Sequence, residues 1–100
     1  MNRALSFLGL AQRAGKVATG EELVIRSIQN KRARLVILSE DASPQTKKKI
    51  TDKCTYYQVP VIIAGDRYSL GNAIGKSARV AIAVLDQGFA RKLKMLFDAN

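Results

Sequence analysis

The sequence predicts an α/β fold in which a mixed sheet of four short strands lies between helical layers. Two patterns carry that prediction. Apolar residues recur at helical spacing in five stretches, and between these stand short apolar runs of the kind that form buried strands. Glycine, proline and capping residues sit where one pattern gives way to the next. Strands that alternate with helices favour layers of helix on a largely covered sheet.

Taken in order, Ala4, Phe7, Leu8, Ala11 and Ala14 mark a helix over roughly residues 3 to 14, which Gly15 ends in a left-handed conformation. Lys16-Val17-Ala18 is a short extended segment. A second helix follows from about 20 to 30, with Leu23, Val24 and Ile28 on one face and Glu22, Arg26 and Gln29 on another. Leu35-Val36-Ile37-Leu38 forms the middle of a strand over 34 to 39 that is buried on both faces. Ser43 and Pro44 make an N-cap and first-turn pair for a third helix. Its buried face holds Ile50, Cys54 and Tyr57, while Lys47, Lys48, Lys49 and Lys53 meet solvent. Val59-Pro60 stops that helix and Val61 to Ala64 is the next strand. Asp66 caps a short helix with Leu70, Ala73 and Ile74, closed by Gly75. Val80 to Leu85 is the last strand, and Asp86 caps a final helix that buries Phe89, Leu93, Leu96 and Phe97.

Composition bounds the function. The 100 residues, 47% of them hydrophobic, suffice for one compact domain spanning residues 1–100. Lysine and arginine number 17 against 8 acids, a formal charge of +9. That excess points to a polyanion, because neutralising phosphates releases condensed counterions. A solubilising surface is the alternative. Cys54 is the single cysteine and histidine is absent, which excludes an intramolecular disulfide and a cysteine–histidine metal cluster. A reducing cytoplasm fits. The apolar start ALSFLGLA meets Gln12 and Arg13 too soon to span a bilayer, so no membrane is expected.

The stretch from Thr19 to Pro44 is the candidate site. The second helix begins at Gly20 with unpaired backbone N–H groups and the carboxylates of Glu21 and Glu22, and Lys31, Arg32 and Arg34 surround the entry to the following strand. Together such groups can address both the bases and the phosphates of RNA. The expectation is that helix start and basic cluster lie beside each other.

The ordered set TGEEL, Arg26, RARLVILSEDASP, LGNAIGK and ARVAIAVLDQGFA resembles the kink-turn RNA-binding ribosomal protein family, which includes archaeal large-subunit protein seven-Ae and ribosomal protein thirty-e. The likeness is greatest to its bacterial YlxQ-type branch and covers nearly the whole chain. It implies a three-layer α/β/α sandwich that binds a sharply bent internal loop without catalysis, cofactor or small-molecule substrate. The expected partner is structured RNA, ribosomal RNA included, bound by a monomer. In the family a glycine precedes an Asn-Glu pair at a helix start, and a basic residue follows one turn on. Gly20 and Arg26 match the first and last; Glu22 and Leu23 replace the pair.

A carboxylate can accept both edge donors, N1–H and N2–H, of a guanine in a sheared G·A pair, so Glu22 or Glu21 can read it. Both glutamates equally suit the positive end of a helix with no ligand at all. Arg26 can pair with Glu22 or reach a phosphate, and Lys31, Arg32 and Arg34 are phosphate contacts that set affinity without reading sequence. The resemblance also implies that the segment after the fourth helix packs against unstacked bases. Lys76 and Arg79 would hold backbone or stack there, and Ala78 and Val80 offer a small apolar surface or plain strand packing.

GNAIGKS imitates a phosphate-binding P-loop, yet only three residues separate Gly71 from Gly75 where the motif needs four. It also closes a helix and leads into a strand, the reverse of the geometry that presents amides to a phosphate. Cys54 is structural, and Asp41, Asp52, Asp66 and Asp86 are turn or cap residues. Three readings follow: an RNA-binding protein for a G·A-containing loop, a ribosome-docking module with non-specific RNA affinity, and a nucleotide-dependent enzyme.

Overall fold

The computed structural model describes residues 2–99, which form helices on both faces of a four-stranded sheet. The elements are α1 (Asn2–Arg13), β1 (Val17–Thr19), α2 (Glu21–Gln29), β2 (Leu35–Leu38), α3 (Pro44–Tyr57), β3 (Val61–Ile63), α4 (Arg67–Ala73), β4 (Ala81–Val84) and α5 (Gln87–Asp98). Sheet order is β1-β4-β2-β3. β4 pairs antiparallel with both β1 and β2, and β2 pairs parallel with β3, so the sheet is mixed as the alternation of elements predicts. None of the described helices is long and apolar enough to cross a membrane.

The caps act where the sequence places them. Ser43 Oγ accepts the Thr46 N–H at 3.2 Å with Pro44 in the first turn, and Asp66 Oδ1 accepts the N–H groups of Tyr68 and Ser69, each at 2.8 Å. Asp86 Oδ2 accepts the Phe89 N–H at 2.9 Å. Each bond satisfies an amide that the helix itself leaves without an acceptor.

Strand alternation divides the core in two. Leu35, Ile37, Ile82 and Val84 face a cluster made with Ala4 and Leu8 of α1, Leu70 of α4, and Ala90, Leu93 and Phe97 of α5. Val36, Leu38, Ala81 and Ala83 face Val24 and Ile28 of α2 and Ile50 and Cys54 of α3. Helices α1, α4 and α5 thus form one layer, and α2 and α3 the other. The two alanines of β4 keep the second face low, which lets α2 lie close to the sheet. Full burial of a residue such as Leu93 stabilises by about 1.5–3 kcal/mol.

Some expected faces differ. Leu23 does not join Val24 and Ile28 but is 52% exposed, and its place on the inner face is taken by Ser27, whose hydroxyl donates to the Val24 carbonyl at 2.8 Å. Ala14 is exposed, and Phe89 and Leu96 are only partly buried. Lys47 does not simply meet solvent: its Nζ donates to the Glu40 carbonyl at 2.7 Å and ties α3 to the preceding loop.

Candidate nucleic-acid interface

The α2 start is fixed by backbone geometry that only glycine adopts readily. Gly20 has φ 94° and ψ 141°, and its N–H donates to the Ala81 carbonyl at 3.4 Å. The Thr19 hydroxyl donates to the same carbonyl at 3.0 Å. These two bonds fasten the entry of α2 to the first residue of β4. No side chain caps α2, so its leading amides and the positive end of its dipole stay available to an acceptor.

Glu21 and Glu22 occupy that first turn. The Glu22 carboxylate lies 3.7 Å from the Arg26 guanidinium, with the two side chains 90% and 66% exposed. A pair so exposed contributes only about 0.3–0.5 kcal/mol, so both groups are free to change partner at small cost. Leu23 stands out beside them as an exposed apolar side chain.

Arg79 reaches the same end of the sheet. The segment after α4 folds back on it: Lys76 N–H donates to the Gly71 carbonyl at 2.8 Å and Gly75 N–H to Asn72 at 3.1 Å. Those amides are therefore consumed by the end of α4, which confirms that GNAIGKS makes no phosphate cradle. Arg79 N–H donates to the Arg67 carbonyl at 2.9 Å, while its Nη1 donates to Ser77 Oγ at 3.1 Å and the Ala78 carbonyl at 2.9 Å. Lys76 is exposed on this loop.

Arg67 is a cation that sequence reasoning did not single out. Its Nε donates to Asp41 Oδ2 at 3.3 Å, its Nη2 to the Asp41 carbonyl at 2.7 Å, and its backbone N–H to Asp41 Oδ1 at 3.1 Å. Asp41 is thus more than a turn residue, since it anchors α4 to the loop after β2. The neighbouring Ser39 hydroxyl, with Arg67 behind it, holds the Asp41 carboxyl below the usual carboxylate range. Asp41 and Arg67 are 26 residues apart, and only the fold reveals the pair.

The expected basic cluster divides. Arg34 N–H donates to the Val84 carbonyl at 2.8 Å, so Arg34 lies at the opposite end of β4 from Ala81 and Gly20. Lys31 and Arg32 share that far end in the turn after α2, where Lys31 has φ 64° and Arg32 N–H donates to Ser27. The nine residues of α2 separate the two groups by roughly 13 Å at 1.5 Å per residue. Residues close in sequence therefore do not make one patch: Gly20, Glu21, Glu22 and Arg79 gather around one end, Lys31, Arg32 and Arg34 around the other, and Arg26, in the last turn of α2, reaches back toward Glu22. A groove of about 560 Å³ between α2 and α3 adds Lys49 and Lys53 beside Arg26. Their i,i+4 spacing on α3 was the available signal, but nothing in the sequence says that α3 packs beside α2.

This geometry defines a small three-layer α/β/α domain that presents an uncapped helix start and a basic loop at one sheet end. The family model described as the Ribosomal protein L7Ae/L30e/S12e/Gadd45 family matches residues 2–94, and the chain belongs to that family as a non-catalytic member. It is 60% identical over 91 residues, 91% of each chain, to the RNA-binding protein YlxQ of Bacillus subtilis (strain 168). It is 44% identical over 96 residues to the RNA-binding protein YlxQ of Enterococcus faecium, covering 96% of this chain and 92% of that one. A solved Bacillus halodurans C protein of unknown function superposes with a TM-score of 0.93 at 56% identity, over 95% of this chain and 96% of that one. The 15.5kD RNA binding protein of Giardia lamblia shares the fold, with a TM-score of 0.82 at 19% identity, over 95% and 84%.

Proposed function

We propose that this protein binds structured RNA and recognises a kink-turn or related G·A-containing internal loop through the α2 start and the Arg79 loop. The observation that carries the reading is the junction of Gly20 with Ala81, which brings an uncapped helix start and a basic loop to one sheet end. A bent loop offers both kinds of ligand at once, base edges to the helix start and unstacked bases or kinked backbone to the loop. In this reading Glu22 or Glu21 accepts the donors of a guanine edge, as the helix amides meet neighbouring acceptors. Arg26, released from Glu22, and Lys76 hold phosphates. Lys31, Arg32 and Arg34, at the far end, add general affinity for phosphates outside the bent loop.

The relatives support RNA as the ligand class, since both YlxQ proteins are named RNA-binding. Ribosomal RNA is the proposed natural target. The protein acts as a cytoplasmic monomer that needs no cofactor. Titrating a kink-turn RNA against a plain duplex of equal charge tests the proposal. Tighter binding of the kink-turn is expected, and equal affinity for both would favour a docking module with non-specific RNA contacts.

A further inference from the structure

The acids of this chain are not spread evenly. Glu21 and Glu22 open α2, and Glu40, Asp41 and Asp66 stand around the loops at the same sheet end, where Glu40 N–H donates to the Gly65 carbonyl and Asp41 binds Arg67. The end that presents the helix start therefore carries much of the negative charge, which the paired Arg26 and Arg67 and the loop cations Lys76 and Arg79 offset. An excess of +9 must be expressed elsewhere.

Part of it lies on α5, which carries Arg91, Lys92 and Lys94 against Asp98. An open groove of about 370 Å³ runs there, with Arg91, Lys94, Met95 and Asp98 on one wall and Arg34 and Leu35 on the other. Arg34, Arg91 and Lys94 line it together with the buried Leu35 and Ala90 and with Met95, which is 66% exposed. Among the described residues none of Arg34, Arg91 and Lys94 is in an ion pair. The Asp86 carboxylate at the head of α5 is occupied in capping that helix, which leaves Asp98 as the one acid on the groove wall. Lys31 and Arg32, exposed in the turn before Arg34, add two more cations to the far end.

We propose that the α5 groove is a second RNA surface, which takes the phosphodiester backbone of a duplex segment while the α2 end holds a bent loop, so that one protein can join two RNA elements. This rests on the kink-turn reading for the first site. Duplex backbone is the occupant that the lining favours. Single-stranded RNA is held by aromatic platforms on which bases stack, and protein partners are anchored by buried aromatic side chains, whereas no aromatic residue lines this groove. Unpaired guanidinium and ammonium groups beside aliphatic atoms match phosphates and ribose, whose recognition is independent of sequence. The two surfaces are distinct, because Arg34 and Gly20 bond to opposite ends of β4 and are separated by the length of α2.

The test uses the full chain, an immobilised kink-turn RNA and a labelled plain RNA duplex. The 1:1 complex with the kink-turn should capture the duplex. Arg91→Ala/Lys94→Ala should abolish that capture and reduce the logarithmic salt slope of duplex binding by about 1.8, while the preference for kink-turn over duplex persists. An unchanged slope and undiminished capture in a variant of wild-type melting temperature would overturn the proposal and leave the first site intact. Should the wild-type protein show no kink-turn preference, the first reading fails; a slope reduced by the double substitution then still assigns the groove to phosphates, and an unreduced one removes it. Backbone amide shifts at Arg91 and Lys94 on adding polyglutamate but not duplex would assign the groove to an acidic protein and refute the RNA assignment.

Discussion

Gly71→Ala tests how the fold sets the position of Arg79. Gly71 is buried in α4, and the loop leading to Arg79 lies directly against it. A β-carbon at this position would overlap the Ser77 carbonyl group, standing 2.7 Å from its carbon and 3.2 Å from Ala78 Cα. These are backbone atoms that cannot rotate away, so the loop itself must move. Alanine gains about 1 kcal/mol over glycine in a helix interior. Overpacking costs about 1–3 kcal/mol, and a rigid backbone neighbour places this site at the upper end. The net loss is then about 2 kcal/mol, which lowers the melting temperature of a domain this size by roughly 8–16 °C. Displacing residues 77 and 78 also shifts Arg79, so kink-turn affinity should fall more than duplex affinity. Thermal melts followed by circular dichroism, with titrations of both RNAs below the transition, measure the two effects. A rise of about 4–8 °C, the gain from helix propensity alone, with unchanged RNA preference would refute the argument.

Glu22→Gln replaces one acceptor oxygen by a donor, so preference for the G·A loop over duplex should drop about tenfold or more in competition titrations; tighter binding with undiminished preference would show that the carboxylate acts only as a charge. Arg79→Ala should weaken kink-turn binding more than duplex binding, and equal losses would make Arg79 a general phosphate contact. Burial pushes the Cys54 thiol up to about 11, so its neutral form is the one the core accommodates. Its contribution to stability is complete below the ordinary thiol value of 9.0 and declines as pH rises toward 11. Alkylation at mild alkaline pH should accordingly be far slower in native protein than in guanidinium, and equal rates would place Cys54 outside the core.

Local chemistry made the elements legible in the sequence. The LVIL and AIAV runs had to be covered strands, and the caps at Ser43, Asp66 and Asp86 marked helix starts because the amides they bind lie only two or three residues away. Gly20 was legible as a helix start from the change of apolar spacing that follows it, although Leu23 was not legible as exposed, since helical period allows several faces and packing selects one. Neighbourhood across the sheet was decided by tertiary structure. The order β1-β4-β2-β3 joins Gly20 to Ala81 and Arg34 to Val84, and so separates two sets of charges that the sequence presents as one cluster. The same packing pairs Asp41 with Arg67 and sets Lys49 and Lys53 beside Arg26. Hydrophobic period reports that a side chain is buried; which partner buries it depends on how the layers stack, and the distribution of charge over the finished surface follows from that stacking.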